Sequence, residues 1–452
     1  MADRFKAADR ETAYLLPPSI QEWVSDTHLA RFIVEIVEQL NLEEIEAGYS
    51  GRGSRAYHPK MLTALLFYGY ATGIFSSRKL EKATYELVPC RFITANSHPD
   101  HDTIATFRRR FLRELTGYFH TILQVAESMG ILKLGSVSLD GTKMKANASK
   151  HKALSYEYAG KLEEQYKQEV RELLAKAEEA DASGETEELN IPEELARRDQ
   201  RLKRIAEAKE EIERRAAERD KREREEYEKK LAERKKKAEE SGKAPRGNGP
   251  KEPEAGVRKK DQVNLTDSES RIMPVSGGGF EQAYNAQAAV DVQTKLIITA
   301  HVTQKTNDKE ELKPTLRLLK ALPKELGSVD ELLADAGYFS ETNVSACGEE
   351  EITPYISSGR EKHNRPLFKR DGEMPALPED ADSLTRMKHR MQTKEGKAKY
   401  AKRKGASEPV FGVIKAVMGY RSFLLRGFEA VEREWSLVCM AYNLKMLHRM
   451  IQ

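Results

Sequence analysis

The sequence predicts an α/β protein with an all-helical N-terminal region and a core of strands and helices split by a long, charged helical insertion. Three observations predict it. Apolar residues recur at helical spacing through residues 17–125. Two short apolar runs, 134–140 and 332–335, each end in an aspartate. Between them, residues 151–260 hold 29 basic and 29 acidic residues, more than half of that stretch.

The chain has 452 residues, with 76 Lys and Arg against 73 Asp and Glu. That length suggests about three domains. Hydrophobic residues are 39% and charged residues 33%, so charge is concentrated in places rather than spread evenly. Residues 1–50 hold 4 basic and 10 acidic residues, 51–150 hold 15 and 7, and 351–452 hold 20 and 12. Basic blocks on a folded protein are a usual footprint of phosphate contact, although charge alone favours a plain solvated surface. No apolar run is long enough to cross a membrane. Met1 to Arg10 is polar, without the apolar core of a secretory signal. Cys90, Cys347 and Cys439 are too few and too scattered for a disulfide framework or a cysteine-rich zinc site. A reducing cytoplasm is the expected compartment.

In order along the chain, Ile33, Val34, Ile36, Val37 and Leu40 mark a first helix. A Gly/Ser/Arg-rich loop, Ser50 to Arg55, leads to Pro59, a first-turn residue for a buried helix through Met61 to Tyr70. Another helix starts near Ser77. Pro99 to Thr103 reads as a capping turn before a helix over 103–115 that bears Arg108, Arg109, Arg110 and Arg113. Short helices, tight turns and an arginine-rich last helix fit a helix-turn-helix DNA reader, or an ordinary bundle with a wet basic face. Leu134 to Asp140 reads as a strand, with a basic loop over 141–150.

Residues 153–241 form a helical hairpin or arm. Leu162, Tyr166, Val170 and Leu173 stripe its first half. In the second, Leu195, Leu202 and Lys209, and likewise Arg198, Ile205 and Ile212, are seven apart. The hairpin breaks between Asp181 and Pro192, and the seam fades past Ala216. Residues 241–256 read as a flexible linker. Two strands, 286–292 and 296–302, then flank a turn at Gln293 to Lys295. A helix over 309–322 follows, with Asn307-Asp308 as its cap. A strand ends at Asp335, a helix covers 341–347, and a strand covers 351–356. A polar insertion with Pro366, Pro375 and Pro378 fills 357–395, before helices over 408–418 and 431–449. Trp23 and Trp435 read as core anchors.

Without its insertions this is the strand-and-helix order of a ribonuclease H-like fold. Two acids at the ends of neighbouring strands can converge, and a third on a covering helix, Glu408, can join them. Oxygen ligands suit hard divalent ions, and two such ions about 4 Å apart promote phosphodiester displacement. Asp140 and Asp335 are otherwise turn residues closing their strands. Glu395 and Glu429 are rivals for the third acid. Asp267 is a helper or a loop cap, and His98 and His101 are turn residues rather than metal ligands.

Four stretches resemble the bacterial insertion-sequence transposases with an Asp-Asp-Glu site. They are Tyr57-His58-Pro59 with His98 to Arg108; Ser138-Leu139-Asp140-Gly141-Thr142-Lys143; Ala334-Asp335-Ala336-Gly337-Tyr338; and Tyr400, Arg403, Glu408 and Lys415. Here four residues, not the usual three, separate Arg403 from Glu408, and the long insertion precedes the second acid. The resemblance implies domains at 1–130 (helical, DNA-binding), 131–150 (first core strand), 151–262 (insertion and linker) and 263–452 (the rest of the core). It implies that Asp140, Asp335 and Glu408 are catalytic and hold two Mg²⁺, with Mn²⁺ as a substitute. It further implies DNA contacts from Tyr400, Arg403, Lys415, Lys143, Lys145, Arg108, Arg109 and Arg110. The implied partners are double-stranded DNA (terminal inverted repeats and target) and a second copy of the chain on that DNA, with no membrane. The implied location is the bacterial cytoplasm, at the nucleoid when acting. The rival readings are a nuclease without strand transfer and an inactive transposase-derived DNA-binding protein.

Overall fold

The structure is a computed structural model that describes residues 19–49, 56–183, 191–241, 248–275, 277–359, 377 and 381–452. Eight helices come first: α1 (Leu29–Gln39), α2 (Glu43–Ala47), α3 (Pro59–Thr72), α4 (Ser77–Glu86), α5 (Val88–Ile93), α6 (His101–Arg110), α7 (Leu112–Gly117) and α8 (Phe119–Ser128). Their caps follow local chemistry. His58 accepts the Lys60 amide through its ring at 3.2 Å, with Pro59 next, where a missing N–H costs nothing. Asp100 accepts the Thr103 amide at 2.6 Å. Gly73 ends α3 at φ +87°, where a Cβ would lie 2.6 Å from the Met418 carbonyl. The helix expected over 103–115 stops at Arg110, so Arg113 belongs to α7.

Then follow β1 (Ser136–Lys145), β2 (Ala153–Ser155), α9 (Tyr156–Ser183), α10 (Ile191–Ser241), β3 (Gln262–Asn264), β4 (Arg271–Pro274), β5 (Phe280–Asp291) and β6 (Ile297–Thr303). The chain closes with α11 (Leu312–Lys320), β7 (Glu331–Ala334), α12 (Glu341–Glu349), β8 (Thr353–Ile356), α13 (Ser383–Gln392), α14 (Lys394–Ala401), α15 (Ser407–Gly412) and α16 (Phe428–Met450). The main sheet runs β4-β5-β1-β7-β8, and β6 also pairs with β5. β1, β7 and β8 are parallel, while β5 is antiparallel to its neighbours. This mixed sheet with covering helices is the α/β class expected.

Several boundaries move. β1 does not stop at Asp140. It pairs with β5 from Val137 to Lys145, so the first half of the expected basic loop is strand. A glycine after an aspartate reads locally as a turn, and only the distant partner strand overrides it. α11 starts later than 309, with Glu311 rather than Asp308 before it. Residues 383–392, expected as polar insertion, form a helix capped by Asp382, and a second helix capped by Thr393 covers 394–401, past the expected end of that insertion at 395. The helix expected over 408–418 is α only to Gly412, then widens into a π turn at Val413–Val417. The loop at Ser50 to Arg55, the hairpin break over 184–190, linker residues 242–247 and the stretch with Pro366, Pro375 and Pro378 lie outside the described residues.

One apolar core runs continuously from Ile33 in α1 through α3 to Ile356 in β8. α3 is buried on nearly every side because it lies among α1, α5 and α16. α16 is the shared wall: it touches α1, α3, α7 and α8 on one side and β6 on the other. Trp435 in α16 is fully buried and donates to the Gln287 carbonyl at 3.0 Å, whereas Trp23 is only partly buried. α9 and α10 pack on each other over a separate small core. There Ile205, Ala208 and Ile212 meet Ala159, Leu154 and Val263.

Candidate active site

The β1–β7 register positions the two aspartates. Leu139 pairs with Ala334, so Asp140 and Asp335, each the next residue, emerge side by side where the parallel pairing ends. β7 stops there and β1 continues along β5, with a parallel bridge to Ser422 at its last residue, Lys145. Each carboxylate is tied by its own motif glycine. Asp140 Oδ1 accepts the Gly141 amide at 2.8 Å, and Asp335 Oδ1 accepts the Gly337 amide at 2.8 Å.

Side chains alternate along a strand, so Ser138, Asp140 and Thr142 share one face. The segment bearing Glu408 lies along that face. Ser138 Oγ and Ser407 Oγ are 2.6 Å apart, buried. Arg403 reaches Asp140 Oδ2 at 3.4 Å and Glu408 Oε1 at 3.8 Å. Lys415 donates to Thr142 Oγ1 and, at 3.3 Å, to the Lys143 carbonyl. Asp140 and Glu408 are therefore joined through a guanidinium rather than by direct contact. Asp140 is 18% exposed and Glu408 58%. Tyr400 lies with its ring 5.9 Å from the Arg403 guanidinium. The π turn means that Glu408 and Lys415 are no longer two α turns apart, and Lys415 is turned inward, where burial lowers its pKa.

Burial pushes the Asp140 carboxyl up to about 6. The Gly141 amide and Arg403 oppose that shift, while the nearby Asp335 and Asp308 carboxylates reinforce it. Crowded acids in a partly dry setting favour a cation beside them. Asp140 and Asp335 fit a hard divalent ion by donor chemistry and by adjacency. The full ligand set is not gathered: among the described residues no three His, Cys, Asp or Glu side chains converge closely enough to hold a metal ion. Arg403 stands between the first and third acids, and Glu408 points outward.

The other expected site residues are distributed as follows. Lys143 pairs with Asp308 at 3.2 Å, and Lys145, 54% exposed, pairs with Glu281 at 3.1 Å. On α6, Arg109 is exposed. Arg110 donates to the Gly48 carbonyl beside the Tyr49 and Phe111 rings. Arg108 is buried, with its Nη1 on Tyr70 Oη at 3.2 Å and on the Phe75 carbonyl at 3.0 Å. Asp267 is buried against the Tyr284 hydroxyl, 3.0 Å away. Glu395 pairs with Lys399 and Glu429 with Arg433 along their own helices. His98 stacks on Tyr85, and His101 meets Glu81 at 2.7 Å. A cleft lined by Arg113, His301, Glu311 and Arg433 opens along β6 and includes neither aspartate, so concavity alone does not mark the reactive position. Sequence reasoning missed Asp308 by taking it for a helix cap; an Asn-Asp pair before a helix carries no other local signal. It also missed the Ser138–Ser407 contact.

Two family models match the chain, and both describe transposases. Residues 256–444 match the transposase DDE domain, and residues 18–110 match a transposase domain, DUF772. Together the two matches support an insertion-sequence DDE transposase. A DDE domain implies a ribonuclease H-like core, a DNA substrate and divalent metal chemistry. Asp140 falls between the two matched spans, as do α9 and α10. Comparison with curated proteins and with solved structures returned no match. No described helix is long and apolar enough to cross a membrane.

Proposed function

We propose that this transposase binds the terminal inverted repeats of its element, cleaves the ends and joins the freed 3′ hydroxyl to target DNA. One observation carries the reading: the β1–β7 register brings Asp140 beside Asp335, with the Glu408 segment bonded to the same strand two residues earlier, at Ser138. Asp140, Asp335 and Glu408 are the catalytic acids and would hold two Mg²⁺, which Mn²⁺ can replace. When bound, the ions activate the attacking oxygen and stabilise the leaving one.

The chain's own residues do the rest. Gly141 and Gly337 aim one oxygen of each aspartate through their amides, and the second oxygen of Asp140 faces Arg403. Arg403 neutralises Asp140 and Glu408 in the DNA-free protein; on arrival of a phosphodiester it exchanges a carboxylate for a phosphate and lets Glu408 turn in. Arginine suits that exchange because its planar fork binds either partner bidentately. Tyr400 backs the guanidinium, and Lys415 and Lys145 line the approach of the backbone. Arg109, with Arg110 beside it, makes phosphate contacts from α6, while Arg108 holds the helix in place. Two DNA ends must be handled together, so the working form is a homodimer on DNA.

The test is end cleavage. Labelled duplexes of the element's ends are incubated with the full chain and Mg²⁺, with Asp335→Asn run in parallel. Cuts at the repeat boundary by the wild type alone support the reading. Equal cutting by both proteins, or binding without cutting by both, overturns it.

A further inference from the structure

Asp308 lies in the turn before α11, and the chemistry described so far gives it no task. Its Oδ1 accepts from Lys143 Nζ at 3.2 Å, Asn285 Nδ2 at 2.7 Å and Gln287 Nε2 at 2.8 Å. Asn285 and Gln287 sit on β5 directly opposite Lys143 and Gly141. The carboxylate therefore rests against the strand at the residue after Asp140. A Cβ placed on Gly141 would come within 2.8 Å of Asp308 Oδ1 and 2.2 Å of Gln287 Nε2. A Cβ on Gly337 would lie 3.8 Å from Asp308 Oδ2 and 2.9 Å from Asp335 Oδ1. The same carboxylate thus crowds the Cβ position of Gly141 with one oxygen and turns the other toward Gly337. Those two glycines are the ones whose amides hold Asp140 and Asp335. Gln287 is braced from behind, since its Oε1 accepts the hydroxyl of Tyr338, the residue after Gly337.

We infer that Asp308 is a positioning residue: seated between Gly141 and Gly337, it sets the spacing and aim of the paired aspartates. The three donors on Oδ1 commit that oxygen to the scaffold. Asp308 acts through the glycine backbone and the Lys143–Asn285–Gln287 cluster, and its negative charge adds to the field that draws a cation to Asp140 and Asp335. With Gln287 it also accounts for the small residue at Gly141, and, through Gln287, for the tyrosine after the second motif glycine. The inference rests on the proposed role of Asp140 and Asp335 as metal-binding acids.

The experiment is Mn²⁺ binding to the full, DNA-free chain, followed by calorimetry, with urea unfolding of each variant alongside. Wild type is compared with Asp308→Asn, Asp308→Glu and Asp335→Asn. Partners that orient ligands typically change metal affinity by about 10- to 100-fold, and Asp308→Asn is expected to weaken Mn²⁺ binding by that factor. Asp308→Glu keeps the charge but is one methylene too long for the space between the glycines, so it should not restore wild-type affinity. Gly141→Ala crowds the same carboxylate from the strand side and should weaken binding similarly, which keeps a test available if the Asp308 variants fail to fold. Wild-type Mn²⁺ affinity in Asp308→Asn, with Asp335→Asn impaired, overturns the positioning role alone. Wild-type affinity in Asp308→Glu reduces the role to charge and overturns positioning. Unchanged binding in Asp335→Asn overturns the metal-site reading, and the inference with it.

Discussion

Replacing Arg108 with methionine tests whether the helical region and the catalytic sheet unfold as one unit. Arg108 is 8% exposed, and its Nη1 donates to Tyr70 Oη and the Phe75 carbonyl. Tyr70 donates in turn to Glu434 Oε1 at 3.3 Å, and Glu434 Oε2 accepts the Leu424 and Leu425 amides at 3.0 and 2.9 Å. Glu434 is fully buried in α16. Burial raises its pKa, and the two amides and Arg108 pull it back down. Methionine fills much of the arginine's volume but leaves the Phe75 carbonyl unpaired and Glu434 without its nearby cation. Hydrogen bonds from charged groups contribute about 1.5–3 kcal/mol each. Orphaning a buried charge costs about 3–5 kcal/mol. Arg108 reaches Glu434 through Tyr70 rather than directly, so the expected loss is about 3 kcal/mol.

The loss should depend on pH. A carboxyl whose folded pKa is raised lends stability that is fully present below its unfolded value and lost as pH rises through the folded value. Removing Arg108 raises the folded value of Glu434 further. The deficit of Arg108→Met is therefore largest above that raised value and shrinks as pH falls toward the ordinary glutamate value of 4.5. The assay is urea unfolding followed by tryptophan fluorescence, since Trp435 lies in α16. An unchanged midpoint with weakened DNA binding would refute the reasoning, because Arg108 would then be a DNA contact and not a core residue.

Three further outcomes are expected. Arg403→Met removes the cation between Asp140 and Glu408, so Mn²⁺ should bind the DNA-free protein more tightly, by roughly tenfold, while end cleavage falls; calorimetry and the cleavage assay check the two signs. Ser407→Val leaves buried Ser138 Oγ without its hydroxyl partner, at a cost of about 1–3 kcal/mol, and should lower cleavage more than DNA binding because it shifts the Glu408 segment off β1. Ile212→Ala should loosen α9 from α10 by about 2–5 kcal/mol without moving the main unfolding transition, because its core is separate; limited proteolysis would then cut α10 sooner.

Local signals were enough for elements whose pattern is self-contained. The stripe from Ile33 to Leu40, the Pro59 start and the Asp100 cap each predicted a helix, and the capping chemistry lies within four residues. Local signals failed where a distant partner decides. Gly141 reads as a turn until β5 pairs across it. Asp308 reads as a cap until Lys143, Asn285 and Gln287 converge on it. Arg108 looks like its neighbours Arg109 and Arg110, and only packing on Tyr70 and Phe75 separates it from them. Helices α13 and α14 were hidden by their polar composition, which a helix half-exposed on a sheet tolerates.

What the sequence determined by itself is therefore the resemblance to the transposases, the start and capping of helices such as those at Pro59 and Asp100, and the two aspartate motifs, because periodicity, caps and short motifs are properties of neighbouring residues. The tertiary structure alone decided the register that sets Asp140 beside Asp335, the insertion of Arg403 between Asp140 and Glu408, the burial of Arg108 and the seating of Asp308 between two glycines. Those contacts join residues far apart in the chain, and their energies come from burial and pairing that exist only once the sheet and its covering helices have closed.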